Sequence, residues 1–153
     1  MGLRTIFKKT LYNLKYTKKR NNSVSGKYFL ITGASSGIGL SLTRNLLNKN
    51  KVIGVYNSNK SNLDLIQSNN LTKVKCNLSD YSDFENLNKI ISNKKIDIII
   101  NCAGIFGSNN QSLENIEFEN LLNTFKINSV SIIEIFFFGL VLDFKPFHSI
   151  VTM

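Results

Sequence analysis

Histidine and cysteine are scarce in this chain, and their scarcity excludes several kinds of site. Among 153 residues there are one histidine, His148, and two cysteines, Cys76 and Cys102. Two cysteines in predicted buried strands predict no disulfide framework and a reducing, cytoplasmic location. We interpret His148 as a strand-edge side chain. Because no cluster has metal-ligand spacing, we expect no metal site.

A long hydrophobic run is also missing. The most apolar stretch, Ile132–Leu142, contains Glu134 and is followed by Asp143. A membrane-spanning helix needs about 20 apolar residues. We therefore interpret this stretch as a buried or interface-facing helix. The N-terminus does not resemble a secretory signal, because its apolar residues are dispersed among lysines.

Acidic residues are absent from the first 27 positions, which carry eight of the 19 basic residues. The other 126 residues are nearly neutral, so the net charge of +9 belongs to the N-terminal segment. The body therefore gives no sign of a nucleic-acid-binding domain, and we expect no nucleic-acid partner.

Residues 1–26 are predicted to form a basic amphipathic extension and a linker. Four apolar residues fall at helical spacing among the lysines: Leu3, Phe7, Leu11 and Leu14. Such a helix could lie on an anionic membrane surface, which gives peripheral membrane contact through residues 1–20. The alternative is a loosely ordered, solvated extension.

The rest of the chain alternates between predicted strands and helices. The predicted strands are Tyr28–Thr32, Lys51–Tyr56, Lys73–Asn77, Asp97–Asn101 and a last one beginning at Ser149. The predicted helices are Gly37–Lys49, Leu63–Ser68, one opened by Ser79 or Asp80 and ending near Ile91, and Glu114–Leu142. Apolar strands in this alternation indicate an α/β fold with a parallel sheet covered on both faces.

The first strand runs into a glycine-rich turn and then into an apolar-periodic helix. Strand, glycine turn and helix form the arrangement that holds a dinucleotide pyrophosphate. The glycines let backbone N–H groups approach the phosphates, and the helix N-terminus adds a partial positive charge. The spacing from Thr32 to Gly39 is Thr-Gly-x-x-x-Gly-x-Gly.

That spacing closely resembles the motif of the short-chain dehydrogenase/reductase family. Two later segments resemble the same family in the same order: Asn101-Cys102-Ala103-Gly104 and Phe125-Lys126-Ile127-Asn128. The resemblance implies a Rossmann-type, doubly wound parallel sheet, truncated after about five strands. It also implies an NAD(P)-dependent oxidoreductase that transfers hydride to or from a small carbonyl or alcohol, and a homo-oligomer in the complete form.

The resemblance also assigns residues to the site. Asn128 corresponds to the family's active-site asparagine, a supporting residue whose alternative interpretation is a solvated helix position. Asn77 stands where the family usually has an aspartate that binds the adenine amino group. The predicted cofactor-binding residues are Gly33, Ser35, Ser36, Gly37, Ile38, Gly39, Asn57, Asn77, Leu78, Asn101, Ala103 and Gly104.

The end of the second strand bears on the choice between NAD and NADP. A carboxylate there would pair with the ribose 2′-hydroxyl. None is present, because the first acidic residue after Gly39 is Asp64. An uncharged region with Lys60 nearby favours NADP over NAD, although Ser36 lacks the basic side chain that many NADP-binding relatives carry.

The family's catalytic serine and Tyr-x-x-x-Lys pair are expected beyond the fifth strand and have no counterpart here. The string from Tyr56 to Lys60 has the same spacing, but it follows strand two on the ribose side, so we reject it as catalytic. Residues 27–153 are thus interpreted as an incomplete NAD(P)-binding domain. Three interpretations stay open: an incomplete reductase, inactive alone; a non-catalytic nucleotide-binding module; or a membrane- or partner-docking protein.

Overall fold

Five parallel strands form a single sheet in the computed structural model, which describes residues 24–107, 117–141 and 149–152. Residues 137–141 and 149–152 are described by their backbone alone. The strands are β1 (Tyr28–Thr32), β2 (Lys51–Tyr56), β3 (Leu71–Lys75), β4 (Ile98–Asn101) and β5 (Ser149–Thr152). Their order is β3-β2-β1-β4-β5, and every neighbouring pair is parallel. The predicted Rossmann-type fold is confirmed.

Helices connect the strands. They are α1 (Gly37–Leu46), α2 (Ser61–Asp64), α3 (Tyr81–Ile91), α4 (Phe118–Phe125) and α5 (Ser131–Val141). A π-helical turn, Lys126–Val130, joins α4 to α5. Asp80 caps α3, as predicted, because its carboxylate accepts hydrogen bonds from Ser82 N at 2.9 Å and Ser82 Oγ at 2.8 Å. These two bonds lower the pKa of Asp80. Among the described residues, no helix is long and apolar enough to cross a bilayer.

The strands bury both faces, so the core has two layers. Alternate residues of β1 point to opposite sides: Leu30 joins one apolar cluster, whereas Phe29 and Ile31 join the other. Phe84 and Leu87 of α3 and Ile135 of α5 cover the first face. The second face packs against Leu40, Leu42 and Leu46 of α1 and Leu63 of α2. Covered on both sides, β1, β2 and β4 are nearly continuous apolar runs, as in a buried parallel sheet. The edge strand β3 instead carries the exposed Lys73 and Lys75.

Two predicted elements are displaced. Strand β3 begins at Leu71 rather than Lys73 and ends at Lys75 rather than Asn77, because its register with β2 pairs Leu71 with Val52. Helix α2 covers Ser61–Asp64 rather than Leu63–Ser68. Its start is fixed by Asn59, whose Oδ1 accepts a hydrogen bond from Ser61 N. Apolar periodicity carries neither of these local signals.

One predicted helix also ends earlier. Helix α1 stops at Leu46 rather than Lys49, where the Leu46 carbonyl accepts from Lys49 N in a tighter turn and from the Asn50 side chain. The helix predicted for 114–142 is continuous over its described part, Phe118 to Val141, with the π turn between α4 and α5. Residues 1–20, Glu114, Leu142 and His148 lie outside the described residues. The predicted strand beginning at Ser149 is confirmed.

Candidate functional site

A cleft of about 490 Å³ opens at the carboxyl ends of β1 to β4, and we call it the carboxyl-end cleft. Ten of the twelve predicted cofactor-binding residues line it: Gly33, Ser35, Ser36, Gly37, Ile38, Asn57, Asn77, Leu78, Ala103 and Gly104. The other two, Gly39 and Asn101, are buried and are not in its wall. Four separate chain segments thus converge at the edge where open α/β sheets bind ligands.

The three motif glycines are needed for different reasons. Gly33 has φ +65°, and a Cβ there would lie 2.8 Å from Ala103 N, so the turn after β1 packs directly on the turn after β4. Gly39 is required because a Cβ would collide with the Gly33 carbonyl. Gly37 has φ +49°, but a Cβ added there would meet no atom within 4 Å. Its lack of a side chain leaves open space at the cleft wall.

Helix α1 begins at this open space without a side-chain cap. Ser36 is the N-cap residue, but its side chain makes no capping hydrogen bond, and the first turn has no acidic residue. The first N–H groups of a ten-residue helix, with its partial positive charge, therefore face the cleft beside Gly37. This arrangement fits a diphosphate. Its oxygens can accept hydrogen bonds from the uncapped N–H groups, and its negative charge takes the place of the acidic residue that the first turn lacks.

Thr32 joins the two turns and was given no role by the sequence. Its Oγ1 accepts hydrogen bonds from Cys102 N at 3.2 Å and from Ala103 N at 3.1 Å. The side chain is buried, so these two backbone donors depend on it. A threonine that immediately precedes the first motif glycine is the sequence signal that could have identified it.

Asn101 lies at the end of β4, in register with Thr32 on one side and Thr152 on the other. It is only 4% exposed, and its Oδ1 has no hydrogen-bond partner among the described residues. A buried amide oxygen without a partner is costly, so it marks a place that another polar group can satisfy. Because Asn101 is buried and is not among the residues that line the cleft, its side chain lies behind the cleft wall.

The part of the cleft beyond β2 is polar and uncharged. Asn57 lies beside Tyr56, Ser58, Asn59 and Asn62, and no described charged side chain lines the cleft. Asn62 donates from Nδ2 to the Ser35 carbonyl at 3.1 Å, which ties this region to the glycine turn. The Lys60 ammonium lies 3.6 Å from the Asp64 carboxylate instead of lining the cleft.

Asn77 and Leu78 form the wall after β3. The Asn77 Oδ1 accepts hydrogen bonds from Ser79 N at 3.1 Å and Ser79 Oγ at 2.9 Å, while Asn77 N donates to Asp83 at 2.6 Å. The amide oxygen that could bind an adenine amino group is thus already engaged within its own loop. Leu78 is buried and offers an apolar surface to the cleft.

Asn128 lies in the π turn and reaches the loop after β4. Its Oδ1 accepts from Ile105 N at 2.9 Å, and its Nδ2 donates to Ile105 O at 2.8 Å. A π turn within a helix often marks a functional position. Here it places an amide that holds the Gly104–Ile105 backbone by two bonds. Asn128 is therefore suited to position the loop.

Both cysteines line the cleft, but neither is prepared for nucleophilic chemistry. Burial, with the nearby Asp83 and Asp80 charges, raises the pKa of Cys76 to about 12. Burial also raises the pKa of Cys102. Both side chains are free thiols, and the raised pKa values keep them protonated near neutral pH.

Comparison with known proteins agrees with this geometry. The sequence profile of the family described as short chain dehydrogenase matches residues 27–140. The chain belongs to the short chain dehydrogenase family. No curated protein has a matching sequence.

Solved structures share the fold. A short chain dehydrogenase family protein from Francisella tularensis subsp. tularensis SCHU S4 is 30% identical with a TM-score of 0.69; the match covers 84% of this chain and 50% of that one. A short chain dehydrogenase from Leptospira borgpetersenii serovar Hardjo-bovis, with NAD+ bound, is 23% identical with a TM-score of 0.66, covering 77% and 46%. One from Streptomyces avermitilis is 20% identical with a TM-score of 0.67, covering 78% and 45%. The chain spans about half the length of these structures.

Proposed function

We propose that this chain is the NAD(P)-binding part of an oxidoreductase that transfers hydride to or from a small carbonyl or alcohol. The observation that carries the proposal is the uncapped N-terminus of α1 beside Gly37, where the backbone is open to a diphosphate. When bound, NAD(P) supplies the hydride donor or acceptor. The chain's own residues bind and orient that group.

Each part of the carboxyl-end cleft has a proposed task. The turn from Gly33 to Gly39 holds the diphosphate through backbone N–H groups. Asn57 faces the adenosine ribose, and Leu78 packs on the adenine. Ala103 and Gly104 are small enough for the nicotinamide half to approach the backbone, and Asn128 holds their loop in place.

A titration of the full chain with NADPH tests this proposal. Gly37→Val places a branched side chain in the open space at the phosphates, so we expect binding at least about tenfold weaker. Gly26→Val is the matched control, because Gly26 has φ +69° and equally open surroundings but lies at the other edge of the sheet. Equal affinity of the two variants would contradict the assignment.

We further propose that NADP is preferred over NAD. The polar wall after β2 offers amide and hydroxyl groups to a 2′-phosphate and no carboxylate to repel it. Asn57→Asp should lower NADPH affinity about tenfold or more and should raise the relative affinity for NADH. Asn69→Asp, an exposed position outside the cleft wall, is the control. An NADH-preferring wild-type chain would overturn this preference.

Residues 1–153 alone should bind the cofactor without turnover. Reduction of a carbonyl needs a proton donor near the nicotinamide, and the described cleft wall holds no Tyr-Lys pair for that task. The test is NADPH oxidation by the chain with a panel of aldehydes and ketones, run beside the binding titration. Turnover of any of these would contradict the proposed inactivity, while cofactor binding without turnover supports it.

A homo-oligomer and a cytoplasmic location complete the proposal. Phe118, Leu121 and Phe125 of α4 are 68%, 53% and 59% exposed and lie at helical spacing on one face. A second copy of this chain could cover this apolar face. Free thiols at Cys76 and Cys102 fit a reducing compartment. Leu121→Glu should lower the sedimentation-derived mass, with the exposed Glu119→Gln as control.

A further inference from the structure

A second cleft, of about 380 Å³, lies at the amino ends of the strands, and we call it the amino-end cleft. It is lined by residues that precede or begin β1, β2 and β4, among them Lys27, Tyr28, Lys49, Lys51, Lys95 and Asp97. Since a strand rises about 3.3 Å per residue, roughly 15 Å of sheet separates it from the carboxyl-end cleft. The two clefts share no residue.

Lysines dominate this cleft. Four line it, and the ammonium groups of Lys94 and Lys51 lie 5.7 and 5.9 Å from the centroid of the Tyr28 ring. The one acidic residue in the described wall is Asp97, whose carboxylate is 3.4 Å from the Lys27 ammonium. Four lysines and one aspartate therefore line the cleft. A concave surface with an excess of positive charge concentrates an electrostatic field that attracts anions.

The backbone that carries these lysines is held firmly. Asn50, 5% exposed, accepts from Lys27 N and donates to the carbonyls of Val24 and Leu46, each at 3.0 Å. Asp97 accepts from Tyr28 N and donates its own N–H to the Tyr28 carbonyl, both at 2.9 Å. The strand starts are thus fixed before any ligand arrives, which lowers the entropic cost of binding.

We propose that the amino-end cleft binds a multiply charged phosphate group. Lysines from three loops converge there, so an anion with several charged oxygens can contact more of them than a single carboxylate can. A soluble polyphosphate and the headgroups of an anionic lipid surface share the chemistry that this cleft recognises.

The test uses the full chain with two probes. Inorganic tripolyphosphate is titrated by calorimetry, and vesicles of phosphatidylcholine with and without phosphatidic acid are tested by co-sedimentation. Lys51→Gln with Lys95→Gln should weaken binding about tenfold or more. The control is Lys75→Gln with Lys126→Gln, which removes the same charge from two exposed positions outside both clefts. Thermal unfolding checks that each variant folds, and Lys95→Gln alone serves if the double variant does not.

The results distinguish a soluble phosphate ligand, a lipid headgroup ligand and the absence of a phosphate site. If the chain binds tripolyphosphate but not the vesicles, and only the Lys51/Lys95 variant loses this binding, the site is supported and its ligand is soluble. If the chain binds phosphatidic acid vesicles, tripolyphosphate displaces it from them and the same variant loses the binding, the site is supported and its ligand is a lipid headgroup. Both titrations are run with saturating NADPH, which occupies the glycine turn at the opposite edge, so that tripolyphosphate bound there does not contribute to the signal. Equal binding by the two double variants, or no binding to either probe, would overturn the proposal.

Discussion

The two edges of the sheet present opposite chemistry. At the carboxyl ends, the cleft wall has no described charged side chain, and the site is shaped by glycines and an uncapped helix. At the amino ends, the cleft wall carries four lysines on a hydrogen-bonded frame. The first edge offers backbone N–H groups, and the second offers side-chain charges. Geometry should therefore dominate the effects of mutation at the first edge, and charge at the second.

Substitution of Gly33 should destabilise the fold more than any other change at the carboxyl edge. Gly33→Ala combines a positive φ with a Cβ 2.8 Å from the Ala103 backbone, so we expect a loss of about 3 kcal/mol in unfolding free energy. Gly37→Ala has the positive φ without the contact and should cost about 1 kcal/mol. Urea denaturation of both variants measures the difference. Equal losses would show that the turns after β1 and β4 are not in close contact.

Thr32→Val tests the hydrogen bonds beneath the same turn. Valine keeps the shape but leaves Cys102 N and Ala103 N without an acceptor, which should cost about 2 kcal/mol. Thr32→Ser retains the hydroxyl and should recover most of that stability. If valine were as stable as serine in urea denaturation, the hydroxyl would not hold the two turns together.

Asp97→Asn tests the charge at the amino end. Burial alone would raise the pKa of Asp97, but hydrogen bonds from Tyr28 N and Lys27, with the Lys95 charge, hold it below its ordinary value of 3.8. The ionised carboxylate therefore stabilises the fold at pH values above 3.8, and this contribution is lost as the pH falls through the lowered pKa. We expect the variant to lose about 1 kcal/mol near neutral pH. The difference from wild type should shrink in acid, and a difference that grows there would contradict the assignment.

The smallest effect is expected at Lys60. Its ion pair with Asp64 is exposed, at 3.6 Å, so Lys60→Gln should change the unfolding free energy by less than about 0.5 kcal/mol. The same substitution should leave tripolyphosphate binding at the amino-end cleft unaltered. A large loss of either would mean that charges at the carboxyl edge matter more than the cleft geometry indicates.

The sequence predicted the fold because the fold follows from local patterns. Apolar runs predicted the strands, and the glycine spacing marked Gly33 and Gly37, which line the carboxyl-end cleft. Their role in cofactor binding stays a prediction. Contacts between distant segments could not be predicted. The hydrogen bonds of Thr32 with Cys102 and Ala103 join positions 70 and 71 residues apart, and the lysines of the amino-end cleft come from separate loops. Nor does periodicity reveal the π turn that carries Asn128.

The assignment of the two clefts is decided by the amide chemical shifts of the full chain, followed by NMR during a titration with NADPH and then with tripolyphosphate. Stoichiometric NADPH should shift the amide signals of Gly33, Ile38 and Ala103 and leave those of Lys27, Asn50 and Asp97 unchanged. Tripolyphosphate added afterwards should shift the second group. NADPH shifts confined to the amino-end residues would contradict the assignment of the carboxyl-end cleft as the cofactor site.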